Sequence, residues 1–110
     1  MEKYGTILAV DDNQGILTAL KYCLNEAFER VLTLDNPEKL LALLQQENVD
    51  MILLDMNFSL GVNSGQEGIF WLQTLQKRHP DIPVVLLTAY ADVPLAVKGL
   101  KNGAADFITK

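Results

Sequence analysis

The sequence predicts an α/β domain, a doubly wound, open parallel sheet of five strands with helices on both faces. Three observations lead there. Short apolar runs alternate with helix-periodic stretches along the whole chain, the order expected of consecutive βα units. Several of those runs show little polar alternation, which suits strands buried on both faces. Four of the five runs lead into charged or hydroxyl-bearing residues, and open sheets of this class gather their ligand groups outside the carboxyl ends of the strands.

Taken in order, the strand candidates are Thr6–Val10, Arg30–Leu34, Met51–Leu54, Val84–Leu87 and Ala105–Ile108, each short and rich in β-branched residues. The first helix is expected from Ile16, Leu20, Leu24 and Phe28, which recur at four-residue spacing as one apolar stripe. Asn36-Pro37 marks the start of the second, with Asn as cap and Pro where no backbone donor is needed; Leu40, Leu41 and Leu44 follow on one face. Ile69, Leu72 and Leu75 form a third stripe, ended by His79-Pro80. Val93, Ala96, Val97 and Leu100 form a fourth, and Gly103 is placed to terminate it. The long irregular stretch Met56–Gln66 follows the third strand directly. A loop of that length inside a compact domain more often serves function than not.

Composition narrows the function classes. The 110 residues fit one domain, about half are apolar, and the formal net charge is -5. An acidic chain without a Lys/Arg cluster is a poor direct nucleic-acid binder. The single cysteine, Cys23, allows no internal disulfide. No apolar run reaches membrane-spanning length, and the first residues do not read as a signal peptide. A cytoplasmic protein without membrane contact is expected.

The strand ends carry the chemistry. The first strand ends in Asp11-Asp12, the third in Asp55, the fourth in Thr88, and the fifth runs on to Lys110. Three carboxylates gathered at one edge repel each other and call for a cation. Hard oxygen ligands open to water suit Mg²⁺. Lys110 adds a positive charge and Thr88 a hydroxyl donor. A carboxylate surrounded in this way is equipped to attack phosphorus while the cations neutralise the phosphoryl oxygens.

Val10-Asp11-Asp12, Leu53-Leu54-Asp55-Met56-Asn57, Leu87-Thr88-Ala89 and Asp106-Phe107-Ile108-Thr109-Lys110 together resemble the receiver domains of bacterial two-component response regulators. The resemblance covers the whole chain, and Thr88–Lys110 looks like the NtrC-like regulators that carry a sigma-54-activating output domain. It implies the flavodoxin-like (CheY-like) sheet order 2-1-3-4-5. It implies that Asp55 is the phosphoacceptor for a sensor histidine kinase. Asp11, Asp12, Asp55 and the backbone carbonyl of Asn57 would hold Mg²⁺. Thr88 and Lys110 would contact the phosphoryl group. Ala89 would leave access, Tyr90 and the Asn57 side chain would tune water attack, and Phe107 would be the switch aromatic. The domain is then a signalling switch for an output domain, with transcription regulation as the expected output, and not a turnover enzyme.

Two departures from the family pattern stand out. Glu67-Gly68, which opens the third helix, lies several residues later than usual, making Asn57–Gln66 a candidate flap. The family chain also continues with Pro and a fifth helix, so residues 1–110 are expected to be a receiver domain cut from a longer regulator. Without that helix the fragment should be marginally stable or form a homodimer, with apolar groups such as Ile7, Val85 and Phe107 or their strand neighbours uncovered.

Other residues have plainer readings. Cys23 is expected as a packed thiol beside the first stripe, His79 as a solvated residue at a helix end, and Trp71 and Phe70 as core or partly exposed packing. Two rival functions remain. A phosphohydrolase of the haloacid-dehalogenase type needs a second Asp two residues after the nucleophile, where this chain has Asn57. A non-phosphorylated flavodoxin-like binding module should lack one of the acids, the Thr or the Lys.

Overall fold

The computed structural model describes residues 3–56, 66–88 and 93–109, with side chains at all of these except 66, 67, 93, 95 and 96. Strand β1 (Tyr4–Val10) leads into helix α1 (Gln14–Leu24), and β2 (Phe28–Leu34) follows. Asn36 accepts the Glu38 N–H at 3.0 Å, and Pro37 opens a 3-10 turn (Pro37–Lys39) that runs into α2 (Leu40–Gln46). The remaining elements are β3 (Met51–Asp55), α3 (Gln66–Arg78), β4 (Val84–Thr88), α4 (Val93–Lys101) and β5 (Asp106–Thr109). Gly103 has φ 107°, a conformation that glycine adopts without a Cβ penalty, and it reverses the chain between α4 and β5.

All five strands pair in parallel in the order β2-β1-β3-β4-β5. The register places Val10 beside Leu34 and Leu54, Asp55 beside Leu87, and Thr88 beside Thr109. The carboxyl ends of the strands therefore finish along one edge. The strand order reverses between β1 and β3, so the residues that follow β1 and end β3 flank the switch-point crevice.

Alternation along the strands sorts the core into two layers. On one face Leu8, Val10, Ile52, Leu54, Val84 and Leu86 pack against Leu40 and Leu44 of α2 and Ile69, Leu72 and Leu75 of α3. On the other, Ile7, Ala9, Leu53 and Leu87 pack with Leu17 of α1, supported by Ile16, Leu20 and Leu24. Leu8, Ile52, Leu54, Leu72 and Leu86 are fully buried. Fully burying one such side chain contributes about 1.5–3 kcal/mol.

The structure corrects several expectations. Phe28 does not extend the α1 stripe; it begins β2, and its ring lies 5.7 Å from that of Tyr4. Cys23 is exposed rather than packed. Val97 of α4 is 42 % exposed, so it does not belong to a buried stripe. Ile7 is buried under α1, and Phe107 packs towards the α2–α3 face. The apolar groups left on the α1 side of the β4–β5 edge are partly buried Val85 and Ile108, the latter 45 % exposed. His79 is partly buried, its N–H closing the last turn of α3 onto Leu75 at 2.7 Å. Phe70 is exposed and meets partly buried Trp71 edge-on.

Candidate functional site

Three strands supply the site. The Asp11 N–H donates to the Leu34 carbonyl at 3.1 Å, prolonging the β1–β2 ladder by one residue and fixing the backbone where β1 stops. The Asp11 side chain is fully buried, whereas Asp12, the next residue, is exposed. At the end of β3, Asp55 is 1 % exposed, and the following N–H, of Met56, donates to Leu87 at 3.0 Å. Thr88 ends β4 with no exposed surface. A buried run that ends in a charged group on one strand, a second on its neighbour and a hydroxyl on a third is costly unless those groups have a task or partners.

Helix α3 closes against this edge. The Gly68 N–H donates to the Met56 carbonyl at 3.2 Å. A Cβ at position 68 would lie 2.5 Å from the Met56 oxygen, 2.7 Å from its Cα and 2.9 Å from its carbonyl carbon. Only glycine lets the first turn of α3 approach the backbone directly after Asp55.

Asp11, Asp12 and Asp55 each place a carboxylate oxygen within 4.8 Å of the others. Unit charges at that separation repel by about 1 kcal/mol in a water-like medium and roughly 3.5 kcal/mol at an effective dielectric constant near 20. The donor set is all oxygen, anionic and mixed in burial, with one exposed member on the solvent side. This fits a small, hard divalent cation that keeps part of its water shell, so the residues present match the metal expected from the sequence.

The structure therefore brings together Asp11, Asp12 and Asp55, with Thr88 buried at the end of the adjoining strand. Phe107 sits on β5 beside Leu86, partly buried and packed on the α2–α3 core, two residues earlier in register than Thr88. Asn57, Ala89, Tyr90 and Lys110 lie outside the described residues, as does the candidate flap between Asn57 and Gln66. Sequence reasoning missed Asn13, which bonds to the acidic turn on one side and to α1 on the other. Its signal was present: Asn directly before the first helical residues is a strong cap candidate. No helix among the described residues is long and apolar enough to cross a membrane.

Comparison with known proteins agrees with this geometry. The family model described as the response regulator receiver domain matches residues 7–110. The DNA-binding transcriptional regulator NtrC of Salmonella typhimurium is 31 % identical over 106 residues, covering 96 % of this chain and 22 % of NtrC. The alginate biosynthesis transcriptional regulatory protein AlgB of Pseudomonas aeruginosa is 35 % identical over 109 residues, covering 99 % of this chain and 23 % of AlgB. The chain thus spans under a quarter of the length of these relatives. Among solved structures, the N-terminal signal receiver domain of a two-component system response regulator from Bacteroides fragilis superposes with a TM-score of 0.87 at 48 % identity, over 98 % of this chain and 85 % of that one. The receiver domain of NtrX from Brucella abortus gives 0.83 at 27 % identity, over 94 % and 84 %. These likenesses do not favour the phosphohydrolase or the non-phosphorylated binding module, and receiver domains are signalling domains rather than turnover enzymes. With the sheet order, the acidic cluster and the family match in agreement, this chain belongs to the response regulator receiver domain family.

Proposed function

We propose that this domain accepts a phosphoryl group on Asp55 and uses it to switch an attached output module. The observation that carries the reading is the acidic cluster: Asp55 ends the central strand within 4.8 Å of the Asp11 and Asp12 carboxylates. In the reaction, an Asp55 carboxylate oxygen attacks phosphorus. The bond between phosphorus and the donor's histidine nitrogen breaks, and that nitrogen keeps the electron pair. Asp11 and Asp12, with the Asn57 carbonyl, would hold Mg²⁺, which would neutralise the phosphoryl oxygens when bound. The Thr88 hydroxyl is assigned to hydrogen-bond the new phosphoryl oxygen and Lys110 to pair with it. Ala89, Tyr90 and the Asn57 side chain are assigned to access and to phosphoryl lifetime.

A sensor histidine kinase is the proposed donor, and small phosphodonors should substitute for it. The setting is a longer cytoplasmic regulator with a transcriptional output domain, an idea supported by the length and names of NtrC and AlgB. The test is intact-protein mass spectrometry after incubation with phosphoramidate and Mg²⁺. One added phosphoryl group is expected in the wild type, none in Asp55→Asn, and a sharply higher Mg²⁺ requirement in Asp12→Ala. Phosphorylation of Asp55→Asn at the wild-type rate would refute the assignment.

A further inference from the structure

We propose that Asn13 is a positioning residue that holds the Asp11-Asp12 turn in its ion-binding geometry and so sets the divalent-cation affinity of the cluster. This rests on the phosphoacceptor reading above. Asn13 is bonded in two directions. Its N–H donates to Oδ1 of Asp11 at 2.9 Å. Its side-chain oxygen accepts the Ile16 N–H at 3.1 Å, and its carbonyl accepts the Leu17 N–H at 3.1 Å. Leu17 is 3 % exposed and belongs to the core under α1, so these bonds tie the acidic turn to an anchored helix.

Asp12 lies between the two fixed points and is itself exposed. Of the three acids, it is the one whose side chain faces solvent. With the turn clamped on both sides, its carboxylate stays within 4.8 Å of the other two. Less reorganisation is then needed when the ion binds. Groups that orient metal ligands without touching the metal commonly matter in this way. Gly15 leaves room for this cap: a Cβ there would lie 3.2 Å from the Asn13 side-chain oxygen.

The test is calorimetric titration of the intact chain with Mg²⁺. Asn13→Ala should weaken Mg²⁺ binding by roughly tenfold, the lower end of what loss of such an orienting partner does. Asn13→Ser keeps a capping oxygen and should restore affinity close to the wild type. Asn36→Ala removes the cap that accepts the Glu38 N–H; it should lower the melting temperature yet leave Mg²⁺ affinity unchanged. At saturating Mg²⁺ the Asn13→Ala phosphorylation rate should return to the wild-type value. In metal-free protein its Ile16 amide should exchange faster. Unchanged Mg²⁺ affinity in Asn13→Ala, or an equal loss in Asn36→Ala, would overturn the proposal. Failure of the phosphoacceptor reading would show separately, as a wild-type chain that neither binds Mg²⁺ nor takes up phosphoryl, and would remove the basis of this inference too.

Discussion

Replacing Gly68 with alanine sets two effects of opposite sign against each other, and the structure decides between them. Alanine is the better helix former by about 0.8–1 kcal/mol, so propensity alone predicts stabilisation. The added Cβ would meet three backbone atoms of Met56, the nearest at 2.5 Å, where ordinary contact starts near 3.4 Å. Met56 cannot retreat easily, because it is fully buried and its N–H is bonded to Leu87. The first turn of α3 must therefore back away by about 0.9 Å, loosening Ile69 and Leu72 in a core packed at near-crystal density. Such overpacking costs about 1–3 kcal/mol. Set against the propensity gain, the net is a loss of up to about 2 kcal/mol, which for a domain of this size lowers Tm by up to roughly 10 °C. Scanning calorimetry, with urea melts to check that the slope is unchanged, measures it. A Gly68→Ala variant more stable than the wild type, as helix propensity alone demands, would refute the claim that close approach to Met56 governs this position.

Other outcomes follow from the same geometry. Adding beryllofluoride and Mg²⁺ as a phosphate mimic should move amide chemical shifts chiefly between Thr88 and Phe107, as the β4–β5 region repacks between two states; shifts confined to α1 and α2 would contradict this. Sedimentation over a wide concentration range should show self-association through the β4–β5 edge, where Ile108 is 45 % exposed beside partly buried Val85. Ile108→Lys should shift that equilibrium towards monomer, and a chain that stays monomeric at every concentration would rule the interface out.

Much of this was legible in the sequence, for identifiable reasons. Buried parallel strands leave continuous apolar runs, which located β1, β3 and β4, and the shorter β-branched runs of the half-exposed edges β2 and β5 located those two. The edge strand β2 began earlier than expected because Phe28 falls on the four-residue spacing of α1, although the chain has already turned at Asn25–Ala27 before reaching it. Stripe arguments also failed at Val97 and Cys23, since a short helix presents only a narrow face to the sheet and apolar residues beside it stay in solvent. The acidic cluster was readable because strand ends in this fold share an edge. What spacing does not encode is which small groups touch across that edge. The Gly68–Met56 approach and the bonds through Asn13 depend on how α3 and α1 dock. Nor does spacing encode the bracket at the opposite ends of β1 and β3, where the Asp50 side chain accepts the Thr6 N–H at 2.8 Å and crowds Gly5.

The most direct test of the central claim is to locate the phosphoryl group chemically. Treating the phosphorylated chain with borohydride reduces an aspartyl phosphate to homoserine, and peptide mass mapping then names the residue. Homoserine is expected at position 55 alone, formed only when Mg²⁺ and phosphodonor were both supplied. Conversion at Asp11 or Asp12 in place of Asp55, or a phosphoryl group that borohydride does not remove, would contradict the claim.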